Sequence, residues 1–366
     1  MMPFFLFIFI CFAALLSSPL AAGELTTCSG IVPMKYRSDK ISIADFGGVG
    51  DGRTLNTRAL LDSSNWPVIE PLPSYGRGRE RPGGRYVSFI HGDGVHDVVI
   101  TGENGTIDGQ GDVWWNMWRT RTLMYTRPNL VEFINSHNII ISNVMFLNSP
   151  FWNIHPVYCS NVVVRYVTIL APRDSPNTDG IDPGAFSDSS YDITIRRISG
   201  SSPFAGVAVG SETSGGVSNV LAEHLSLYDM GVGINIKTNI GRGGFIKNIT
   251  ISDVYMESSR KGVKIASDTG DHPDDKFDPN ALPIVKDITI KNVWGENVQQ
   301  AGSIYGLRNS PFTGICLSNI NLRGTARPRS VPWTCSYVSG AALLVSPWPC
   351  SELTSTQQDG VCSNNF

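Results

Sequence analysis

A short phrase recurs along most of this chain: an Asn or Asp, an alternating run of aliphatic residues, then a polar residue and another aliphatic one. Each copy has the alternation and the β-branched content of one short strand. The cleanest copies span Asn138–Val144, Asn161–Val167, Asn248–Val254 and Asp287–Val293, and looser copies begin at Asp97, Asp192, Asn219 and Gly314. The chain must therefore stack many similar strands.

The spacing of these phrases selects among β architectures. Successive copies start 23 to 41 residues apart, which is too long for hairpins, and the intervals lack the helical periodicity of βαβ units. A parallel β-helix accounts for both facts, because each coil contributes short strands and turns at a polar corner. Asn suits such a corner, since it tolerates left-handed backbone angles. An ordinary β-sandwich is the alternative architecture.

Composition agrees with an all-β fold and restricts the partners. Charged residues make up 17% of the chain, with 37 Gly and 22 Pro, which favours a turn-rich β protein over a helical bundle or a disordered chain. A net charge of −3 argues against a nucleic-acid partner. An acidic substrate would need local cations, and Arg77, Arg79, Arg81 and Arg85 are candidates unless they belong to a solvated loop.

The first residues have the pattern of an export signal. An apolar run from Phe4 to Leu16 precedes small residues that suit a cleavage site, so residues 1–22 are interpreted as a removed signal peptide. A retained anchor is the alternative, but the run is shorter than the roughly 20 residues of a membrane span. We therefore expect a secreted protein of the extracellular space or cell wall, with no membrane association after cleavage.

Cysteine usage agrees with export. Cleavage would remove Cys11 and leave an even number of cysteines, which suits disulfides in a secreted chain. No Cys-x-x-Cys or His-rich spacing supports a metal site, and three of the six cysteines crowd the C-terminus, where a disulfide staple is expected. Their pairing is left open by the sequence. The six are Cys28, Cys159, Cys316, Cys335, Cys350 and Cys362.

Several segments resemble glycoside hydrolase family 28, the polygalacturonases and their plant subgroup. The most specific is Ser175-Pro-Asn-Thr-Asp-Gly-Ile-Asp182, which is similar to the central Asn-Thr-Asp-Gly motif of that family. The resemblance implies a right-handed, single-stranded parallel β-helix, a monomer, no cofactor and a pectin-like polysaccharide partner. The other similar segments are Ala44–Gly52, Ile107–Gly111, Asn148–Trp152, Val207–Glu212 and Pro311–Ile315.

These patterns divide the chain into four parts. We expect a signal peptide at 1–22, an N-terminal segment with an incomplete cap at 23–96, the parallel β-helix at 97–325 and a cysteine-containing C-terminal segment at 326–366. The family resemblance also implies a helix and further coils after Leu60, which this sequence lacks. Residues 61–86 are therefore expected to pack irregularly.

The resemblance assigns catalytic roles only in part. Inverting hydrolysis needs one carboxylic acid and one carboxylate that activates water. In the family these come from Asn-Thr-Asp and from a later Gly-Asp-Asp, and the first maps onto Asp179 as the water-activating base. No Gly-Asp-Asp occurs here, because Ile181 is followed within ten residues by the next strand phrase at Tyr191. We predict that one whole coil is missing, together with the general acid.

The substrate-binding set is also partly changed. The resemblance implies that Lys237 binds a substrate carboxylate, while Asn235 stands where the family has Arg and Ala205 stands where most members have His. Asn177 is expected to shape the strand edge. Asp182 and Glu212 could replace the lost acid. The favoured interpretations are that Asp182 is a corner residue and that Glu212 is a solvated loop carboxylate. Asp274 and Asp275, the only Asp-Asp pair in the sequence, lack the strand phrase and are assigned to a loop.

Three functions remain at this point. The first is a polygalacturonase-like hydrolase that cleaves α-1,4-galacturonide bonds of pectin. The second is an inactive pectin-binding β-helix protein, or the product of a truncated transcript. The third, a lyase on the same architecture, is disfavoured because no acidic cluster for calcium is present in the sequence. No nucleotide cofactor is expected, since a Gly-x-x-x-x-Gly-Lys-Ser/Thr loop is absent. No metal cofactor is expected either, since the sequence lacks metal-ligand spacing.

Overall fold

The computed structural model describes residues 66–72, 83–184, 188–270, 278–324, 333–353 and 362. These residues form nineteen strands, one α-helix and a short 3-10 helix at Ser351–Leu353. The helix α1 spans Asp112–Arg119. The strands are β1 (Val68–Ile69), β2 (Arg85–Tyr86), β3 (Ile90–Asp93), β4 (His96–Asp108), β5 (Val131–Ile134), β6 (His137–Leu147), β7 (Ile154–Val157), β8 (Ser160–Leu170), β9 (Ser190–Ser201), β10 (Ala205–Val209), β11 (Val217–Tyr228), β12 (Val232–Lys237), β13 (Phe245–Glu257), β14 (Lys261–Ala266), β15 (Ile284–Glu296), β16 (Gln300–Tyr305), β17 (Phe312–Leu322), β18 (Trp333–Ser336) and β19 (Val338–Ser346).

From β3 to β8 and again from β9 to β19, short and long strands alternate, and each kind pairs in parallel with its own kind in the next coil. The short strands form the sheets β3-β5-β7 and β10-β12-β14-β16-β18. The long strands form the sheets β4-β6-β8 and β9-β11-β13-β15-β17-β19. This confirms the predicted right-handed parallel β-helix and removes the sandwich alternative, whose sheets are antiparallel.

The strand phrases begin at left-handed corners, as the Asn and Asp residues predicted. Asn138 and Asn161 have φ of 57° and 52°, and they stack through a hydrogen bond from Asn161 Nδ2 to Asn138 Oδ1 of 2.8 Å. Asn248 continues a second ladder by donating to Asn219 Oδ1 at 2.8 Å. Each side-chain amide bonds the coil before it, so the repeated Asn both turns the chain and fixes the register.

The strand stack is interrupted between β8 and β9. Among the described strands, β8 pairs only with β6 and β9 pairs only with β11. A partial rung follows β7, because Ile181 and Gly184 form isolated bridges with Ile154 and Val157. The described strands therefore form two stacks, and the break falls where the sequence predicted a missing coil.

Burial changes along with pairing at this break. Ile139 and Ile141 of β6 are fully buried, whereas their register partners Val162 and Val164 of β8 are only partly covered. The inward residues of β9 are likewise partly covered, while the coils from β11 to β17 enclose a continuous aliphatic core. Each stack thus has its own core, since buried apolar contacts form within a stack and not across the unpaired edges.

The two ends of the described chain differ in structure. At the N-terminal end, β1 pairs antiparallel with β2, and Trp66 packs edge-on against Trp114 of α1. Positions 61–65 and 73–82, part of the stretch expected to pack irregularly, lie outside the described residues, as do the signal peptide, Cys28 and the Ala44–Gly52 motif. At the C-terminal end, β18 and β19 extend both sheets beyond position 325.

Disulfides staple the C-terminal coils, as predicted. Cys316 is bonded to Cys362 and Cys335 to Cys350. Cys159, expected among the paired cysteines, carries a free thiol that donates to the carbonyl oxygens of Phe133 and Val157. Within the described segments, no helix combines the length and the apolar character needed to cross a membrane.

Candidate active site and carboxylate-binding face

The loop that carries the Asn-Thr-Asp motif is anchored by a buried arginine. The guanidinium of Arg127 lies 4.7 Å from the ring centre of Phe151. It donates to the carbonyl oxygens of Pro150 at 2.8 Å and Pro176 at 2.9 Å, and to Asn177 Oδ1 at 2.9 Å. Asn177 has a φ of 56° and accepts a hydrogen bond from Arg127 with its side chain, and both features shape the turn of this loop.

Asp179 lies at the exposed end of this loop. The buried side chain of Asn153 holds its backbone, because Asn153 donates to the Asp179 carbonyl oxygen from both its main-chain nitrogen and Nδ2, each at 3.0 Å. The carboxylate of Asp179 is therefore presented to solvent on a fixed backbone. That presentation suits a base that activates water.

A buried charged cluster lies on the rungs beside this loop, and the sequence did not reveal it. Glu132 of β5 is fully buried and accepts two hydrogen bonds from Arg85 Nη1, at 2.6 and 2.7 Å. His91 of β3 donates to the same carboxylate at 3.1 Å. His155 of β7, the register partner of Glu132, donates from Nδ1 to the Asp182 carbonyl oxygen at 2.8 Å.

This cluster lowers the pKa of both Glu132 and His155. Burial by itself would raise the pKa of Glu132, but the hydrogen bond from His91 and the charge of Arg85 outweigh it and lower the pKa to about 2. Burial lowers the pKa of His155, despite the opposing charge of Glu132. Arg85 is therefore an internal counter-ion and not the solvated loop residue that the sequence suggested, while Arg77, Arg79 and Arg81 lie outside the described residues.

Two of the three predicted substrate-binding residues share the outward face of β12, whereas Asn177 lies on the loop held by Arg127. Asn235 and Lys237 alternate with Ile234 and Ile236, which are buried in the core. Asn235 Oδ1 is buried and has no hydrogen-bond partner within the described parts of the chain. Ala205, which the sequence predicts to stand in place of the family's histidine, opens β10 as the register partner of Val232.

Two further lysines continue this face on β14. Lys264 is the register partner of Asn235, and its Nζ lies 2.8 Å from Asp268 Oδ2. Lys261 Nζ donates to Ser303 Oγ at 2.8 Å. Burial and the adjacent charge of Lys264 lower the pKa of Lys261. Sequence reasoning missed both lysines because their alignment with Val232 and Asn235 follows from coil register and not from a motif.

The two residues considered as replacements for the missing acid are held by different contacts, Asp182 through its backbone and Glu212 through its carboxylate. Asp182 lies on the partial rung, where its backbone nitrogen donates to Ile154 at 2.8 Å and its carbonyl oxygen accepts from His155. Glu212 forms an ion pair with the buried guanidinium of Arg242, so the interpretation as a solvated loop carboxylate is wrong. Asp274 and Asp275 lie outside the described residues.

One group of possible metal ligands occurs on the other sheet. Glu223, His224 and Asp253 bring ligand atoms within 4.8 Å of one another at the corner of β11 and β13. Glu223 is already ion-paired with Arg196, so a cation there would have to displace that guanidinium. We assign no metal to this group.

Known proteins share both the sequence pattern and the fold. A model of "Glycosyl hydrolases family 28" matches residues 79–346. A "Probable polygalacturonase" of Vitis vinifera is 38% identical over 410 aligned positions, covering 90% of this chain and 84% of that protein. A probable polygalacturonase of Arabidopsis thaliana is 25% identical, with coverage of 87% and 82%. The grape alignment is longer than the 366 residues of this chain, so the grape protein carries segments that are absent here.

Two solved structures show the same fold at low identity. The exopolygalacturonase of Thermotoga maritima superposes with a TM-score of 0.66 at 20% identity, covering 85% of this chain and 92% of that chain. The polygalacturonase of Erwinia carotovora superposes with a TM-score of 0.58 at 24% identity, covering 76% and 77%. With the family model matched over most of the described coils, the chain belongs to glycoside hydrolase family 28.

Proposed function

We propose that this protein acts on pectin as a polygalacturonase-type glycoside hydrolase of the extracellular space or cell wall. The main support is the position of Asp179, which is exposed to solvent on the anchored Asn-Thr-Asp loop. In addition, the outward face of β12 and β14 carries lysines, whose charge suits the carboxylates of a uronate polymer. Asp179 would activate water, and Lys237 would bind a galacturonate carboxylate. The relatives' names support this substrate.

In this proposal, the lysines of β12 and β14 bind the substrate. Lys237 ends β12, and Lys264 and Lys261 follow on the adjacent strand, so three ammonium groups lie on two consecutive rungs. Adjacent parallel strands are separated by about 4.8 Å, and the rungs therefore offer several cations to neighbouring carboxylates of one polymer. An ammonium group binds a carboxylate as a point charge, without the two-pronged geometry of arginine.

A second function, binding of pectin without turnover, is favoured by the break between β8 and β9. Inverting hydrolysis needs a protonated carboxyl group on the leaving-group side, at roughly 6.5–9.5 Å from the base. The sequence lacks the Gly-Asp-Asp segment that would supply this group, and the strand stack is interrupted where its coil belongs. Binding survives such a loss, because it needs the lysine face and no general acid.

One paired measurement separates the two functions. Reducing ends released from polygalacturonate and the affinity for oligogalacturonate would be measured for the wild-type protein and for Asp179→Asn. Turnover that disappears in Asp179→Asn, with affinity retained, supports the hydrolase. Affinity without turnover in both proteins supports the binding function. No affinity and no turnover in a folded wild-type protein contradict both.

A further inference from the structure

An exposed aromatic patch lies on the long-strand sheet, away from the short strands that carry the lysines. We define it as Tyr228 of β11, Tyr255 of β13 and Trp294 of β15, with the carboxylates Glu257 and Glu296. The three rings are 38%, 37% and 45% exposed, although the residues beside them in each strand are buried in the core. Their outward direction follows from the strand alternation.

Coil register assembles the patch on three consecutive rungs. Tyr255 is the register partner of Trp294, and Glu257 is the partner of both Tyr228 and Glu296. The rings of Tyr228 and Tyr255 pack edge to face, with centroids 6.4 Å apart and planes at 64°. Three partly exposed rings on neighbouring rungs offer a candidate binding surface.

The positions of the two carboxylates do not favour folding. Glu257 and Glu296 stand directly opposite each other on adjacent strands, an arrangement in which like charges destabilise a sheet. Neither side chain makes an ion pair or a hydrogen bond with another residue of the described segments. Since folding gains nothing from this pair, its negative charge is available to a cationic ligand.

We propose that the aromatic patch binds an arginine side chain presented by a partner polypeptide. A guanidinium stacks on aromatic faces and is weakly hydrated, and its fork of donors matches a carboxylate. Stacking on Tyr255 and Trp294 leaves its donors free for Glu257 and Glu296. The two carboxylates repel a uronide, and a hydrated metal ion gains nothing from three aromatic rings, so charge complementarity selects the basic peptide.

The test uses the full-length protein and a fluorescently labelled peptide in which arginine alternates with glycine. Binding would be followed by anisotropy, alongside the same peptide with citrulline, a neutral isostere, in place of arginine. We expect the citrulline peptide to bind at least about tenfold more weakly. We expect a comparable loss for Trp294→Ala, which removes a ring and leaves every charge in place. Trp348→Ala, at a tryptophan that is 71% exposed outside the patch, is the matched control and should bind normally.

Further variants keep the proposal falsifiable. Tyr255→Ala provides a second ring deletion if Trp294→Ala does not fold, and Glu257→Gln with Glu296→Gln tests the carboxylates. Equal binding of the arginine and citrulline peptides would overturn the proposal. So would equal affinities of Trp294→Ala and Trp348→Ala, or binding of a neutral polysaccharide such as hydroxyethyl cellulose in preference to the arginine peptide.

Discussion

Asn235 of β12 and Lys264 of β14 are register partners on the outward face of the short-strand sheet. An ammonium group therefore lies one coil after an uncharged amide on this face. Asn235 Oδ1 is buried and has no hydrogen-bond partner among the described residues.

Lys264→Gln is expected to weaken the binding of oligogalacturonate by roughly five- to tenfold, as the loss of one partly desolvated charge pair would do. Titration calorimetry at low salt measures this change. Lys286→Gln is the control, because Lys286 is an exposed lysine on the long-strand sheet. Equal losses in both variants would show that overall charge, and not this face, binds the polymer.

Asn235→Arg is expected to increase that affinity, because it restores a two-pronged donor beside Lys237. The same calorimetric titration measures this affinity, and Asn235→Gln is the uncharged control. An affinity unchanged by arginine at this position would place the polymer elsewhere.

The buried Glu132 makes stability depend on pH. Its pKa falls from the usual 4.5 to about 2, so its ionised form contributes stability of about 3 kcal/mol that is complete above pH 4.5. This contribution is lost as the pH falls from 4.5 towards 2. His155 adds a loss that begins near its unfolded pKa of about 6.5, because its lowered pKa keeps it neutral in the fold. Urea unfolding across this range measures both effects.

Glu132→Gln tests the same cluster at neutral pH. It leaves the Arg85 guanidinium buried without its anion, and we expect a loss of about 3–5 kcal/mol in the free energy of unfolding. Glu223→Gln is the matched control, because Glu223 pairs with the more exposed Arg196 and should cost less than about 1 kcal/mol. Similar losses in the two variants would contradict the buried ion pair.

Because of the break between the stacks, we expect the same Ile→Ala substitution to lower the free energy of unfolding by different amounts at two core positions. Ile195 of β9 and Ile251 of β13 lie in the same inward column, two coils apart. Ile251 is enclosed on both sides, so Ile251→Ala should cost about 2–5 kcal/mol. Ile195→Ala should cost clearly less, since Ile195 lies on an edge strand that is paired on one side only. Urea unfolding of both variants measures the two losses of stability. Equal losses would mean that another segment covers β9.

The repeated Asn phrase predicted the fold because the stacking of coils requires such a residue. At each corner, the Asn must turn the chain and form a hydrogen bond with the coil before it. The absent coil was also readable, since Ile181 and Tyr191 are too close in sequence to enclose a full turn. A whole repeat can be lost while the stacking of each remaining block survives.

The ion pair of Arg85 with Glu132 could not be predicted from sequence, because the two residues are 47 positions apart and meet only through the β-helix register. The alignment of Lys264 with Asn235 has the same origin. Glu212 was misjudged for a related reason, since its partner Arg242 reaches it from a following coil. Side-chain contacts between rungs depend on loop lengths that no local pattern specifies.

The most direct test of the lysine face is the salt dependence of oligogalacturonate binding by the wild-type protein and by Lys237→Gln with Lys264→Gln. Exposed charges interact over about 8–10 Å at moderate salt. We predict wild-type affinity that falls steeply as salt is added, and a double variant with weak affinity that barely responds to salt. Wild-type affinity that is independent of salt, or a double variant that binds as the wild type does, would contradict the account.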